Sequence, residues 1–164
     1  MTDYCALGEL VKANPDKPWD FRFLSYNKDI TWEFVKANPT MNWHYDFLSG
    51  NPNVTLDIIK TNPDIPWDYG YMSINPHVTL DFVKANLDKA WDYMYLTKHK
   101  NITWDMIKAN PDIPWNYMWL SNNPSITWDI VQANPDISWD YVSLSKHPNI
   151  TWDIVQANPD KPWR

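Results

Sequence analysis

The sequence predicts an all-α protein, an α/α solenoid built from two-helix repeats. Three observations predict it. A 24-residue period runs through the 164-residue chain with no insertion or deletion, and a fixed period of this length is the mark of a stacked-repeat architecture. Asn-Pro or His-Pro pairs fence most units into two segments of about eight residues, because Pro disfavours helix in the residue before it. The second segment of every copy carries the grammar of a helix start.

The period is carried by Trp19, Trp43, Trp67, Trp91, Trp115, Trp139 and Trp163, by the Thr31 to Thr151 series and by the Asn14 to Asn158 series. Residues 1–164 read as a single solenoid domain. Residues 1–14 resemble the second half of a unit and form an N-terminal half-repeat cap. Six full units run 15–38, 39–62, 63–86, 87–110, 111–134 and 135–158, and residues 159–164 open a seventh.

Within a unit, the first segment has two candidate starts. Asp20 flanked by Trp19 and Leu24 has the N-cap and apolar-staple spacing. A start further upstream would place Pro18 in the first helical turn. The second segment is read from its last copy. Thr151 is the N-cap, Ile150 and Val155 are the staple across it, and Asp153 complements the helix dipole. Ile150, Ile154, Val155 and Ala157 keep helical spacing. A β-solenoid is the alternative, since Ile-Thr-Trp-Asp-Ile-Val partly alternates and favours strands. Near-absence of Gly, and the Ala with Lys or Gln that closes each copy, favour helices.

Helices this short are marginal alone, so each unit has to cover its neighbour's apolar stripe. The columns available are Leu24, Leu48, Met72, Leu96, Leu120 and Leu144, then Ile30 to Ile150, then Val35 to Val155. A small-residue column, Ala13, Ala37, Thr61, Ala85, Ala109, Ala133 and Ala157, suggests close helix approach. The Trp19, Trp43, Trp67, Trp91, Trp115 and Trp139 column reads as a structural ladder inside the stack; an indole buries about 150–250 Å², several kcal/mol per unit at about 25 cal/mol per Å². The functional alternative is an aromatic platform for sugars or bases. The Asn14 series reads as side chains bonding the turn backbone.

Composition removes several functions. The chain has 14 Lys plus Arg against 20 Asp plus Glu, a net charge of −6, which argues against nucleic-acid binding by phosphate neutralisation. Twelve Trp and 14 Pro stand against 3 Gly, so collagen, Gly-rich linkers and most Gly-turned β-solenoids are excluded. One cysteine, Cys5, leaves no disulfide framework and fits a reducing compartment. No basic n-region precedes an apolar run, so secretion is not expected. No stretch nears the ~18 apolar residues of a membrane span.

No chemistry-bearing constellation emerges. His44, His77, His99 and His147 have no His or Cys partner at metal-ligand spacing, and no phosphate loop or nucleophile motif occurs. The expectation is no enzyme, no cofactor and no metal. A binding face should lie where the copies disagree. One such position reads Phe23, Phe47, Tyr71, Tyr95, Trp119 and Ser143. If exposed, the five aromatics form a candidate protein-binding stripe; if buried, they are a second core column.

The string Pro-Asn-Ile-Thr-Trp-Asp-Ile-Val-Gln-Ala-Asn-Pro-Asp-Lys-Pro-Trp, Pro148 to Trp163, resembles the short tandem repeats in uncharacterised proteins of giant DNA viruses of the mimivirus-like group. The resemblance covers almost the whole chain. It implies a viral protein made in an infected amoeba or alga and assigns no activity. Local departures are Leu87 for the first Pro, Ala90 and Ser138 for the second, and Thr40-Met41-Asn42 rewriting one turn. The functional expectation is a non-enzymatic cytoplasmic scaffold for a protein partner. The alternatives are a structural element that self-associates through an uncapped end and an aromatic-lined carbohydrate-binding module.

Overall fold

The computed structural model describes residues 6–164; Met1 to Cys5, with the lone cysteine, lie outside the described residues. Among the described residues there are twelve α-helices, one 3-10 helix and no strand. The architecture is an all-α repeat, and the β-solenoid alternative is not supported. Helix α1 (Ala6–Ala13) belongs to the half-unit. The full units then contribute the pairs α2 (Phe21–Tyr26) and α3 (Trp32–Ala37), α4 (Tyr45–Ser49) and α5 (Leu56–Thr61), α6 (Tyr69–Met72) and α7 (Leu80–Lys84), and α8 (Tyr93–Thr97) and α9 (Trp104–Ala109). The fifth pair is the 3-10 helix (Tyr117–Asn122) with α10 (Trp128–Ala133), and the sixth is α11 (Tyr141–Leu144) with α12 (Trp152–Ala157). The chain forms two compact units: the residues up to Val78 together with Leu87–Trp91, and Thr79–Asn86 together with Asp92–Arg164.

Caps define the helices. In each second helix the Thr hydroxyl accepts from the third backbone N–H of the helix: Thr31 from Phe34, Thr55 from Ile58, Thr79 from Phe82, Thr103 from Met106, Thr127 from Ile130 and Thr151 from Ile154. First helices start at the carboxylate and not upstream. Asp20, Asp68, Asp92 and Asp140 are their N-caps, each accepting from a first-turn N–H. His44 and Asn116 replace the Asp in two copies and form no side-chain cap bond; the element after His44 is still an α-helix, and the one after Asn116 is 3-10. The Arg22 guanidinium, 2.7 Å from Asp20, holds that carboxyl at about 2, well below its usual range. Thr103→Ala should cost about 1 kcal/mol in urea denaturation, while Thr103→Ser stays close to the parent protein.

The helix ends explain the invariant Asn, Pro and Trp together. Asn38, Asn62, Asn110, Asn134 and Asn158 are C-caps with φ near −130° and ψ near 60°, and a Pro follows each of them, so the helix cannot continue. Each Asn side chain donates back to the carbonyl four residues earlier, as Asn62 Nδ2 does to Ile58 O at 2.7 Å. That satisfies one of the carbonyls a helix end leaves unpaired. The Asn carbonyl in turn accepts the indole N–H of the Trp five residues on; Trp67 Nε1 reaches Asn62 O at 2.9 Å. Just before each Trp the backbone closes an i to i+2 hydrogen bond, for example Trp115 N to Ile113 O at 2.7 Å. This is an inverse γ-turn, centred here on Pro114, whose ring pre-sets the required negative φ.

Among the described residues none takes a positive φ, so the turns have no need of glycine. Departures from the Pro pattern leave the turn intact: Trp43 N reaches Met41 O around Asn42, Trp91 N reaches Lys89 O around Ala90, and Trp139 N reaches Ile137 O around Ser138. Only Leu87 changes a helix end, and there the C-cap is Ala85 in the right-handed region in place of Asn86. Because the fold already accepts Pro at this turn, Ala90→Pro should raise stability by about 0.5–1 kcal/mol through the unfolded chain, visible as a higher Tm.

The core runs along the three apolar columns. Leu48, Met72, Leu96, Leu120 and Leu144 are fully buried, as are Val54, Val78, Ile102 and Ile126, and Val83 and Ile107. The small-residue column does not mediate helix approach. Ala37, Ala85, Ala109, Ala133 and Ala157 are exposed at the ends of the second helices, where Ala serves as a helix former beside the Asn cap.

Candidate functional site

Layers are joined by a polar spine that the sequence reading missed. Ser25, Ser49, Ser73, Thr97 and Ser121 are completely buried in the first helices. Ser49 Oγ donates to Tyr45 O at 2.7 Å and accepts the Asp68 N–H of the next layer at 2.9 Å. Ser25 accepts from His44 N, Thr97 from Asn116 N, Ser121 from Asp140 N and Ser145 from Arg164 N. Two residues further along, a buried amide reaches backward. Asn51 Nδ2 donates to Ser25 O and Asn27 O; Asn75 Nδ2 reaches Ser49 O, Asn51 O and Val54 O; Asn123 Nδ2 reaches Thr97 O and Ile102 O.

His147 fills the same position. Its Nε2 lies 2.9 Å from Asn123 O while Nδ1 accepts the Asn149 N–H, which selects the Nε2–H tautomer. Among the described residues no buried side-chain nitrogen or oxygen lacks a partner. A 24-residue recurrence of Ser or Thr, and of Asn or His, was the available signal.

The ladder tryptophans lie at these joints. Trp43, Trp91, Trp115 and Trp139 are buried, and Trp19 and Trp67 are half-buried. Their rings meet the aromatic that opens the preceding first helix edge-on: Phe21 with Trp43 at 5.5 Å and 77°, Tyr69 with Trp91 at 5.0 Å and 88°, Tyr93 with Trp115 at 6.4 Å and 84°. This is the favoured quadrupole geometry. A second contact comes from the residue that opens a second helix, reaching the indole 35 residues on. Trp32 meets Trp67 at 5.7 Å, Trp104 meets Trp139 at 6.5 Å and Trp128 meets Trp163 at 5.6 Å. Trp152 occupies the same position on α12 and is 69% exposed. As a platform for sugars or bases the ladder is poorly placed, since four of its six indoles are buried.

None of the five stripe aromatics is buried. In the first compact unit Phe23 is 72% exposed, and the Phe47 and Tyr71 rings lie 4.7 Å apart at 38°. In the second, Tyr95 and Trp119 bracket the Lys98 ammonium, at 4.5 and 4.7 Å from the two ring centroids, a cation–π pair. The neighbouring variable position adds Met118, which is also exposed.

Among the described residues no group of three or more His, Cys, Asp or Glu is placed to hold a metal ion, and no helix is long and apolar enough to cross a membrane. His44 comes within 3.9 Å of Asp46, a local contact, and His77 Nε2 lies 2.9 Å from Pro52 O of the preceding layer. The chain matches no protein-family model, no curated protein and no solved structure.

Proposed function

We propose that this chain is a non-enzymatic repeat scaffold whose surface aromatics engage a protein partner. One observation carries the reading: Phe23 and Tyr71 are exposed and Phe47, Tyr95 and Trp119 half-buried, although the fold does not require an aromatic there. The sixth copy has Ser143 at this position and still forms α11 with its Asp140 cap. Aromatic side chains of this kind anchor interfaces, because they supply large contact area at little conformational cost. In the second unit Lys98 already occupies the space between two rings, so a partner's Arg or Lys could take its place. On this reading the protein works in the cytoplasm of an infected host cell, as its resemblance implies.

The test is a pair of double variants, Phe47→Ser with Tyr71→Ser and Tyr95→Ser with Trp119→Ser. Helical circular dichroism should be kept and Tm should move by only a few degrees, as for surface changes. Cross-linking to partners captured by the parent protein should disappear. Collapse of the fold in both variants would assign the rings to the core and end the reading.

Self-association is the second reading, and Trp152 supports it. The structure buries Trp32 and Trp104 at the equivalent position, whereas α12 buries no residue. Light scattering across a concentration series should show larger species for the parent protein and a monomer for Trp152→Glu. A concentration-independent monomer for both removes this reading.

A further inference from the structure

The sixth layer contains a groove. A cavity of about 500 Å³ lies between α10, the 135–139 turn, α11 and the 158–161 turn, within the size range of small-molecule sites. Its aromatic lining is Trp128, Trp139 and Tyr141, and its polar lining includes Gln132, Ser138 and Lys161. Trp128 and Tyr141 are half-buried and both rings are braced by Trp163, at 5.6 Å and 5.0 Å. They are therefore held in place while part of each remains open.

Polar side chains gather at this one place. Ser138 stands where four copies have Pro18, Pro66, Pro114 and Pro162; Gln132, like Gln156, stands where earlier copies have Lys36, Lys60, Lys84 and Lys108; and Lys161, like Lys17 and Lys89, stands where the other copies have Met41, Ile65, Ile113 and Ile137. Ser138 and Gln132 bring a hydroxyl and an amide to the rim, and Lys161 its ammonium. Lys161 is paired with Asp160 at 2.8 Å, so the groove offers an anion no unpaired cation.

We propose that this groove binds a neutral saccharide, one pyranose residue of an oligosaccharide. The apolar C–H face of the sugar lies on Trp128 and Tyr141. Its hydroxyls bond the Gln132 amide, the Ser138 hydroxyl and the Lys161 ammonium, which together supply donors and acceptors. A flat base would also stack on the rings, but a ring carrying hydroxyls around its whole edge uses the full polar rim. The site is independent of the protein-binding stripe, whose residues lie on the preceding first helices.

The test uses consensus residues, so folding is not the variable. Ser138→Pro, Gln132→Lys and Lys161→Ile restore what other layers carry, and Trp128→Leu places the residue found at Leu56 and Leu80. The parent protein and the variants are titrated by calorimetry and saturation-transfer NMR with neutral tri- to hexasaccharides of glucose, mannose, galactose and N-acetylglucosamine. The parent protein should bind at least one series with Kd on the order of 0.1–1 mM. The triple reversion and Trp128→Leu should each weaken binding by about tenfold or more, with Tm at or near the parent value. Absence of binding to every series overturns the proposal. So does undiminished affinity in the folded triple reversion, or binding of nucleosides in preference to all the sugars.

Discussion

Asn75→Ala should destabilise the fold by about 3 kcal/mol, and Asn75→His should recover most of that loss. The Asn75 amide is completely buried and donates to Ser49 O at 2.8 Å and Val54 O at 2.9 Å in the layer before it. Alanine removes the donor and leaves both carbonyls without it in a dry joint, at roughly 1–3 kcal/mol for each stranded polar group. Imidazole is the replacement this chain already uses. His147 reaches the preceding layer's Asn123 O at 2.9 Å and is itself buried. Urea denaturation with an unchanged m-value measures the effect. An alanine cost under about 1 kcal/mol, or a histidine as damaging as alanine, would show that the amide is not what joins the layers.

Trp139→Ala should cost about 4 kcal/mol and Trp139→Phe only about 1–2 kcal/mol. The indole is buried, lies against Trp104 at 6.5 Å, and donates its N–H to Asn134 O at 2.9 Å. Alanine opens a large cavity and removes the donor that finishes α10; phenylalanine removes the donor and part of the ring volume. Trp152→Ala, at an exposed indole, should stay within about 0.5 kcal/mol of the parent protein. Thermal melts of the three variants separate ladder burial from tryptophan content. Equal losses at Trp139 and Trp152 would contradict the division drawn here.

Period, unit boundaries and helical character were legible because they rest on local signals: the Thr N-cap, the acidic first turn and the Pro that forbids continuation. The first-helix start was ambiguous because Asp20 and Pro18 both satisfy start grammar, and the Asp20 contact with the Arg22 N–H decides it. The Ala column was misread for a physical reason. Small size permits close approach, but it does so equally at an exposed helix end. The Ser, Thr, Asn and His spine is not legible from spacing, because a buried amide is stable only where main-chain carbonyls converge on it, and that convergence is set by the stacking of layers.

Whether the stripe lies outside depends on how much surface each neighbour covers, and no spacing reports that. Nor does spacing show the groove. Ser138, Gln132 and Lys161 belong to separate columns until the turns bring them together. The ladder was visible as a column, but its second duty was not. That the indole N–H caps the preceding helix depends on a backbone path closing five residues into a loop.

The spine has a consequence for how such a chain can change length. Ser49 and Asn75 contact the main chain of adjoining layers, not their side chains; every residue type presents the same carbonyl oxygen, and every one but proline the same amide hydrogen. Attachment is thus indifferent to the identity of the block it grips. Twenty-four-residue cassettes can be duplicated, lost or shuffled by recombination without any matching change next door, leaving the outward positions free to drift toward new recognition.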